Sequence, residues 1–163
     1  MKVIKRSLLI DNQLFFRLGI VSEDIEWFMR TLMAVKSVAV TNSLAYCYRL
    51  RATSISHNIT ARNTNHLFLS IELYADQFRQ LADDNLKRAA LNYLTYQYFI
   101  IIALAQKYLP ANERCDIHNR CKPFKWLAGY ACNHKTSKCA LLMKIGGLKF
   151  TAFVLSKYLN IKN

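Results

Sequence analysis

The chain is poor in the residues that turn a backbone: four Gly and two Pro among 163 residues. A sandwich or barrel of many short strands needs tight turns every few residues, so that scarcity excludes most all-β architectures and favours helices. Acidic residues are also few, ten Asp and Glu against 23 Lys and Arg. The imbalance is steepest from residue 111 onward, where ten basic residues face two acidic ones. An export signal is not expected, because the apolar stretch after Lys5 and Arg6 is broken at Asp11, Asn12 and Gln13 before it can form a signal core. The five cysteines, Cys47, Cys115, Cys121, Cys132 and Cys139, are odd in number, which argues against a disulfide framework and for reduced thiols in the cytosol. Charge is absent between Arg88 and Lys107. A bilayer span needs roughly 20 apolar residues. Asn92, Thr95, Gln97 and several tyrosines dilute this run, so a buried bundle helix is the expectation.

What is present has helical rhythm. In EDIEWFMRTLMAV, Ile25, Phe28, Met29, Leu32, Met33 and Val35 follow helical spacing, with Ser22 as N-cap and Glu23 and Asp24 in the first turn. From His66 to Leu81 the residues Leu67, Ile71, Tyr74, Phe78 and Leu81 recur at steps of four and three, and Asp83, Asp84 and Asn85 separate that helix from another over Leu86 to Leu109. The second run stops before Pro110, as the residue preceding a proline disfavours helical dihedrals. The two predict an antiparallel hairpin. VAVTNSLAYCYRLR, rich in Val, Tyr and Thr, predicts one or two short strands. Residues 111 to 137 read as an irregular basic connector. After it, KCALLMKIGGLKFTAFVLSKYL sets Lys138, Lys144, Lys149 and Lys157 along an apolar background, as in an interfacial helix, with a weak point at Gly146 and Gly147. The fold class expected is mainly α with a short β segment (α+β).

Residues 15 to 56, FFRLGIVSEDIEWFMRTLMAVKSVAVTNSLAYCYRLRATSIS, place a Phe and a Gly ahead of the acidic pair Glu23-Asp24, then Trp27, a helix, a Val-rich strand and a closing Tyr-x-Tyr-Arg-x-Arg-x-x-Ser-Ile-Ser. In that order these elements resemble the end of the catalytic domain of family 2 glycosyltransferases, the GT-A type, of bacterial cell-surface polysaccharide synthesis. The resemblance implies inverting transfer from a nucleotide-diphosphate sugar to a polysaccharide or lipid-linked acceptor. Asp24 matches the general base, with Glu23 as its neighbour, and Trp27 would offer a flat face to the acceptor sugar. Arg49 and Arg51 match basic positions that would neutralise the departing diphosphate, and His57 would contribute to that region or to its metal.

The complete family enzyme uses a divalent metal, Mg or Mn, held by an Asp-x-Asp pair in a nucleotide-binding half. This chain contains no Asp-x-Asp. The expectation is a glycosyltransferase remnant at 1–58, inactive by itself and missing its nucleotide-sugar-binding half, followed by a helical basic extension at 62–163. No metal site or cofactor is assigned to the chain itself. A fragment, a truncated frame and a half supplied in trans all satisfy that reading.

Each residue also has a plainer role. Glu23 and Asp24 suit any helix N-terminus, by about 0.3 to 1 kcal/mol each. Trp27 is equally suited to core packing, and Arg49 and Arg51 to the solvent side of a strand. Cys115, His118 and Cys121, then Cys132, His134 and Cys139, have zinc-binding chemistry but not the usual spacings, so unpaired thiols are expected. The partners that follow are a sugar acceptor, the missing half and an anionic membrane surface. Nucleic acid ranks lower, because the basic end carries no recognisable base-reading motif. The location expected is cytoplasmic, peripheral to the inner face of the cytoplasmic membrane. The alternative function is a small basic helical protein that binds an anionic surface without catalysis.

Overall fold

In the computed structural model, residues 3–40, 42 and 59–161 are described. The helices are α1 (Arg6–Asp11), α2 (Glu23–Ala34), α3 (Ala61–Arg79), α4 (Asp84–Tyr108), α5 (Ala111–Cys121) and α6 (His134–Ile161), with a 3₁₀ segment (Lys122–Tyr130) between α5 and α6.

The hairpin of α3 and α4 is the frame. Asn63 Oδ1 accepts from the Thr60 backbone N–H (3.0 Å) and from its hydroxyl (2.6 Å), which sets the start of α3 several residues ahead of the apolar stripe. Along α3, Leu67, Ile71, Tyr74 and Phe78 are buried as their spacing predicted. Asp83 caps α4, its carboxylate accepting from Asn85 N–H (2.8 Å) and Leu86 N–H (3.0 Å). Leu109 is extended (φ −94°, ψ 146°), ending α4 ahead of Pro110.

The uncharged α4 is the central element, with α3, α5, α6 and the 3₁₀ segment all packed against it. Leu91, Leu94, Tyr98, Ile101 and Ile102 on it are fully buried. Thr95, Tyr98 and Asn92 on it tie neighbours down. The Thr95 hydroxyl lies 2.6 Å from the Leu127 carbonyl and 2.8 Å from that of Leu91. Tyr98 donates to the Cys121 carbonyl at 3.2 Å, and Asn92 Oδ1 accepts from Cys132 N–H and the Thr136 hydroxyl, both at 3.1 Å. A helix with this many committed polar groups is a bundle core.

Two expectations are corrected. The α+β class with a short β segment and a GT-A-type remnant is not shown: the described residues are helical with no strand among them. Val38 and Val40 are 77% and 90% exposed, so the described start of the Val-rich stretch has no packed face of the kind that stabilises a sheet. The rest of that stretch lies outside the described residues. The connector expected at 111–137 is instead mostly helical. Ile117, Cys121 and Leu127 enter the core, and Arg120 holds α5 to α3 through Glu72 Oε1 (3.1 Å) and Asn65 Oδ1 (2.5 Å).

Finally, α6 runs along α4 with Met143, Leu148 and Ala152 inward. It bends at Gly147, whose φ of 72° and ψ of −173° break the helical path as the Gly-Gly pair predicted.

Candidate functional site

The N-terminal segment is organised around a residue that the motif reading passed over. Glu26 has no exposed surface. Its carboxylate accepts from Arg30 Nε at 3.0 and 3.2 Å, from Arg30 Nη2 at 3.0 Å and from the Tyr74 hydroxyl at 2.7 Å. Arg17 Nη2 stands 3.4 Å from Oε1, the oxygen that Tyr74 also bonds. Burying a carboxylate is costly unless it is paired and hydrogen-bonded on this scale. Arg30 then reaches on, donating through Nη2 to the Phe15 carbonyl at 2.6 Å. The signal in the sequence was the Glu26–Arg30 spacing of four on one helix face.

Around this node the loop before α2 is pinned at several points. Gln13, Gly19 and Ser22 take left-handed dihedrals (φ 52°, 78° and 62°). Ser22 holds the N-cap position but makes no capping bond with its side chain, which corrects the cap expected there. Its carbonyl accepts from Ile25 N–H at 3.1 Å. Val21 N–H donates to His66 Nδ1 at 2.8 Å, and Arg62 Nη2 donates to the Gly19 carbonyl at 3.1 Å. Both anchors come from α3, giving His66 a positioning task.

This scaffold presents Glu23 and Asp24 to solvent in the first turn of α2, alongside the fully buried Glu26. The phenol of Tyr93 on α4 is pushed above its usual range by burial and then by the Asp24 charge. Trp27 follows within a turn and is half-buried. Its indole N–H donates to the Leu14 carbonyl at 2.8 Å, and its ring meets Phe16 at 5.0 Å between centroids, tilted 41°. The structure therefore brings Glu23, Asp24 and Trp27 together on one helix. Arg49, Arg51 and His57 lie outside the described residues.

The described cysteines and histidines do not converge. Among the described residues no three His, Cys, Asp or Glu side chains are grouped to hold a metal. Cys115 and Cys132 are exposed, Cys139 is half-buried and Cys121 is buried, all of them free thiols. Burial raises the Cys139 thiol and pushes that of Cys121 up to about 12. His118 is buried on α5 with Nε2 unbonded. Desolvation lowers its proton affinity, with Arg114 and Lys149 adding to the effect against a backbone bond to Ile102.

No protein-family model, curated protein or solved structure matches the chain.

Proposed function

We propose that residues 1–58 are the acceptor-side end of an inverting family 2 glycosyltransferase, active only together with a nucleotide-sugar-binding half. The reading starts from the ordered resemblance over residues 15–56. The observation that carries it is the division of labour among the three acids of α2. Glu26 is consumed as a buried anchor, whereas Glu23 and Asp24 stand in solvent on a turn that the anchor fixes. Only an open carboxylate can reach an acceptor hydroxyl.

In this reading Asp24 accepts the proton of the acceptor hydroxyl as its oxygen attacks the anomeric carbon and the nucleotide diphosphate departs. Positioned general bases contribute about 10² to 10⁴ in rate. This chain lacks an Asp-x-Asp, and no three candidate ligands are grouped among its described residues, so no step is assigned to a metal. The metal and donor sites belong to the other half. Arg49, Arg51 and His57 keep their proposed place beside the diphosphate.

The test is to join the chain to an Asp-x-Asp-bearing nucleotide-binding half and measure sugar transfer to lipid-linked acceptors. The chain alone is expected to be inactive, the joined protein active, and Asp24→Asn in it slower by about 10² to 10⁴ with nucleotide binding unchanged. Retained turnover in Asp24→Asn overturns the base assignment. Failure of transfer in every pairing favours the alternative, a basic helical protein without catalysis.

A further inference from the structure

The helix α6 is covered on one side only. Its inward residues, Thr136, Met143, Leu148, Thr151, Ala152 and Ser156, are buried, and the apolar ones join the core along α4. The inward hydroxyls of Thr151 and Ser156 are turned back onto the helix, to the Gly147 and Phe153 carbonyls at 2.8 and 2.7 Å. The opposite side is as apolar as the inside. Leu141 is 58% exposed, Ile145 74%, Phe150 46%, Phe153 51% and Tyr158 52%. Leu141 and Ile145 are four apart, as are Lys149 and Phe153, so the exposed positions follow helical spacing in both halves of the bent helix. Because both halves turn a buried stripe to the same core, both exposed stripes face away from the bundle.

Charge identifies what covers this face. The lysines of α6, Lys135, Lys138, Lys144, Lys149 and Lys157, are all exposed, and the helix contains no Asp or Glu. Lys107 of α4 extends the basic rim, its Nζ bonded to the Leu159 carbonyl at 3.2 Å. A second copy of the chain would set lysine against lysine. A phosphate backbone would match the lysines and leave Leu141 and Ile145 facing water. An anionic bilayer surface satisfies both, taking apolar side chains below its headgroups and lysines among them. Spanning is opposed by Lys144 and Lys149, which fall mid-helix where charge is costly in hydrocarbon. By length and composition α6 could otherwise cross.

We propose that the outer face of α6 seats the protein on an anionic lipid surface, lying in the interface. Leu141, Ile145, Phe150 and Phe153 are the inserted residues, and Lys138, Lys144, Lys149 and Lys157 contact the headgroups. The bend at Gly147 lets each half of the helix meet the surface while its inner stripe stays on α4. This surface is independent of any role for Asp24, so it stands or falls separately from the transferase reading.

The experiment is co-sedimentation of the full chain with vesicles of neutral phosphatidylcholine and of phosphatidylcholine mixed with phosphatidylglycerol. Binding is expected to the anionic vesicles only, with loss at 1 M salt, where the screening length falls to about 3 Å. Each lysine replaced by Gln weakens binding roughly five-fold. Leu141→Ser with Ile145→Ser and Phe153→Ser, all exposed positions, weakens it at least as much with the helical circular dichroism intact. Lys138→Glu with Lys149→Glu supplies a second variant that leaves every apolar contact untouched. Equal binding to neutral vesicles, no binding to either, or binding unchanged in both variants overturns the proposal. Resistance to extraction at alkaline pH would mean that α6 crosses the bilayer, and preference for an oligonucleotide over vesicles would mean a nucleic-acid surface; either also overturns it.

Discussion

The Tyr74 hydroxyl donates a 2.7 Å hydrogen bond to the buried Glu26 carboxylate, joining α3 to α2 across 48 positions of sequence. The bond is buried at both ends, and it couples the segment carrying Glu23 and Asp24 to the bundle. Removing the hydroxyl in Tyr74→Phe keeps the ring and deprives a buried carboxylate of one donor. The expected loss is about 1.5 to 3 kcal/mol, the range for a hydrogen bond to a charged group, read from the urea midpoint.

Replacing the carboxylate itself is expected to cost more. Glu26→Ala strands Arg30 and Tyr74 together, and breaking a buried pair from one side costs about 3 to 5 kcal/mol. Arg17→Ala should cost under about 1 kcal/mol, because the Arg17 side chain is 47% exposed and its attraction is screened by water. Asp24→Asn, on an exposed turn, should change stability by no more than about 1 kcal/mol. This contrast separates the anchor from the proposed base without any activity assay.

Three groups set the pH limits of stability, His118 on the acid side and Tyr74 and Tyr98 on the alkaline side. Burial lowers His118 below its ordinary value of 6.5, so below that pH the unfolded chain binds the proton that the folded one refuses. Stability is therefore complete above pH 6.5 and falls as acid is added, and His118→Gln should flatten the slope in that window. Tyr74 and Tyr98 are both raised above 10.0, chiefly by burial, with the Glu26 hydrogen bond assisting at Tyr74. Their contribution is intact below pH 10 and is lost as the pH climbs beyond it. Thermal unfolding at stepped pH checks both arms.

Thiol chemistry should follow burial. With limiting iodoacetamide on the folded protein, mass mapping is expected to find Cys115 and Cys132 alkylated first, Cys139 later and Cys121 only on unfolding. Early modification of Cys121 would mean that the α4–α5 contact opens readily.

The bend in α6 has its own test. Gly147→Ala forces a side chain into a backbone conformation (φ 72°, ψ −173°) that is open essentially to Gly alone, at about 1 to 3 kcal/mol. Gly146→Ala meets a different obstacle, since a Cβ there would clash with the Phe150 side chain. That ring must swing away, and the melting temperature of each variant should fall.

Much of this architecture could be read from apolar spacing. Leu67, Ile71, Tyr74 and Phe78 marked α3, the missing charges marked α4 as a buried helix, and Pro110 marked its end. The short α5 was not legible, because ANERCDIHNRC has almost no apolar stripe; it is held from outside, by Arg120 on Glu72 and Asn65 and by Ile117 in the core. The strand reading failed in its described part because Val and Thr favour sheets only where a neighbour exists to pair with. At the candidate site the exposed acids were visible in the motif. Glu26 was not, since burial is decided by Tyr74, 48 residues away in sequence.

The central position of α4 also dictates an order of events during synthesis. The α3–α4 hairpin leaves the ribosome long before α6, yet Met143, Leu148 and Ala152 of α6 cover one side of α4. Until those residues emerge, a nascent chain carries a long uncharged helix with an open flank, the kind of surface on which chaperones act and aggregates nucleate. Because α6 is made after α4 and closes the core on that side, interruption of translation ahead of α6 should yield an insoluble product rather than a smaller folded one.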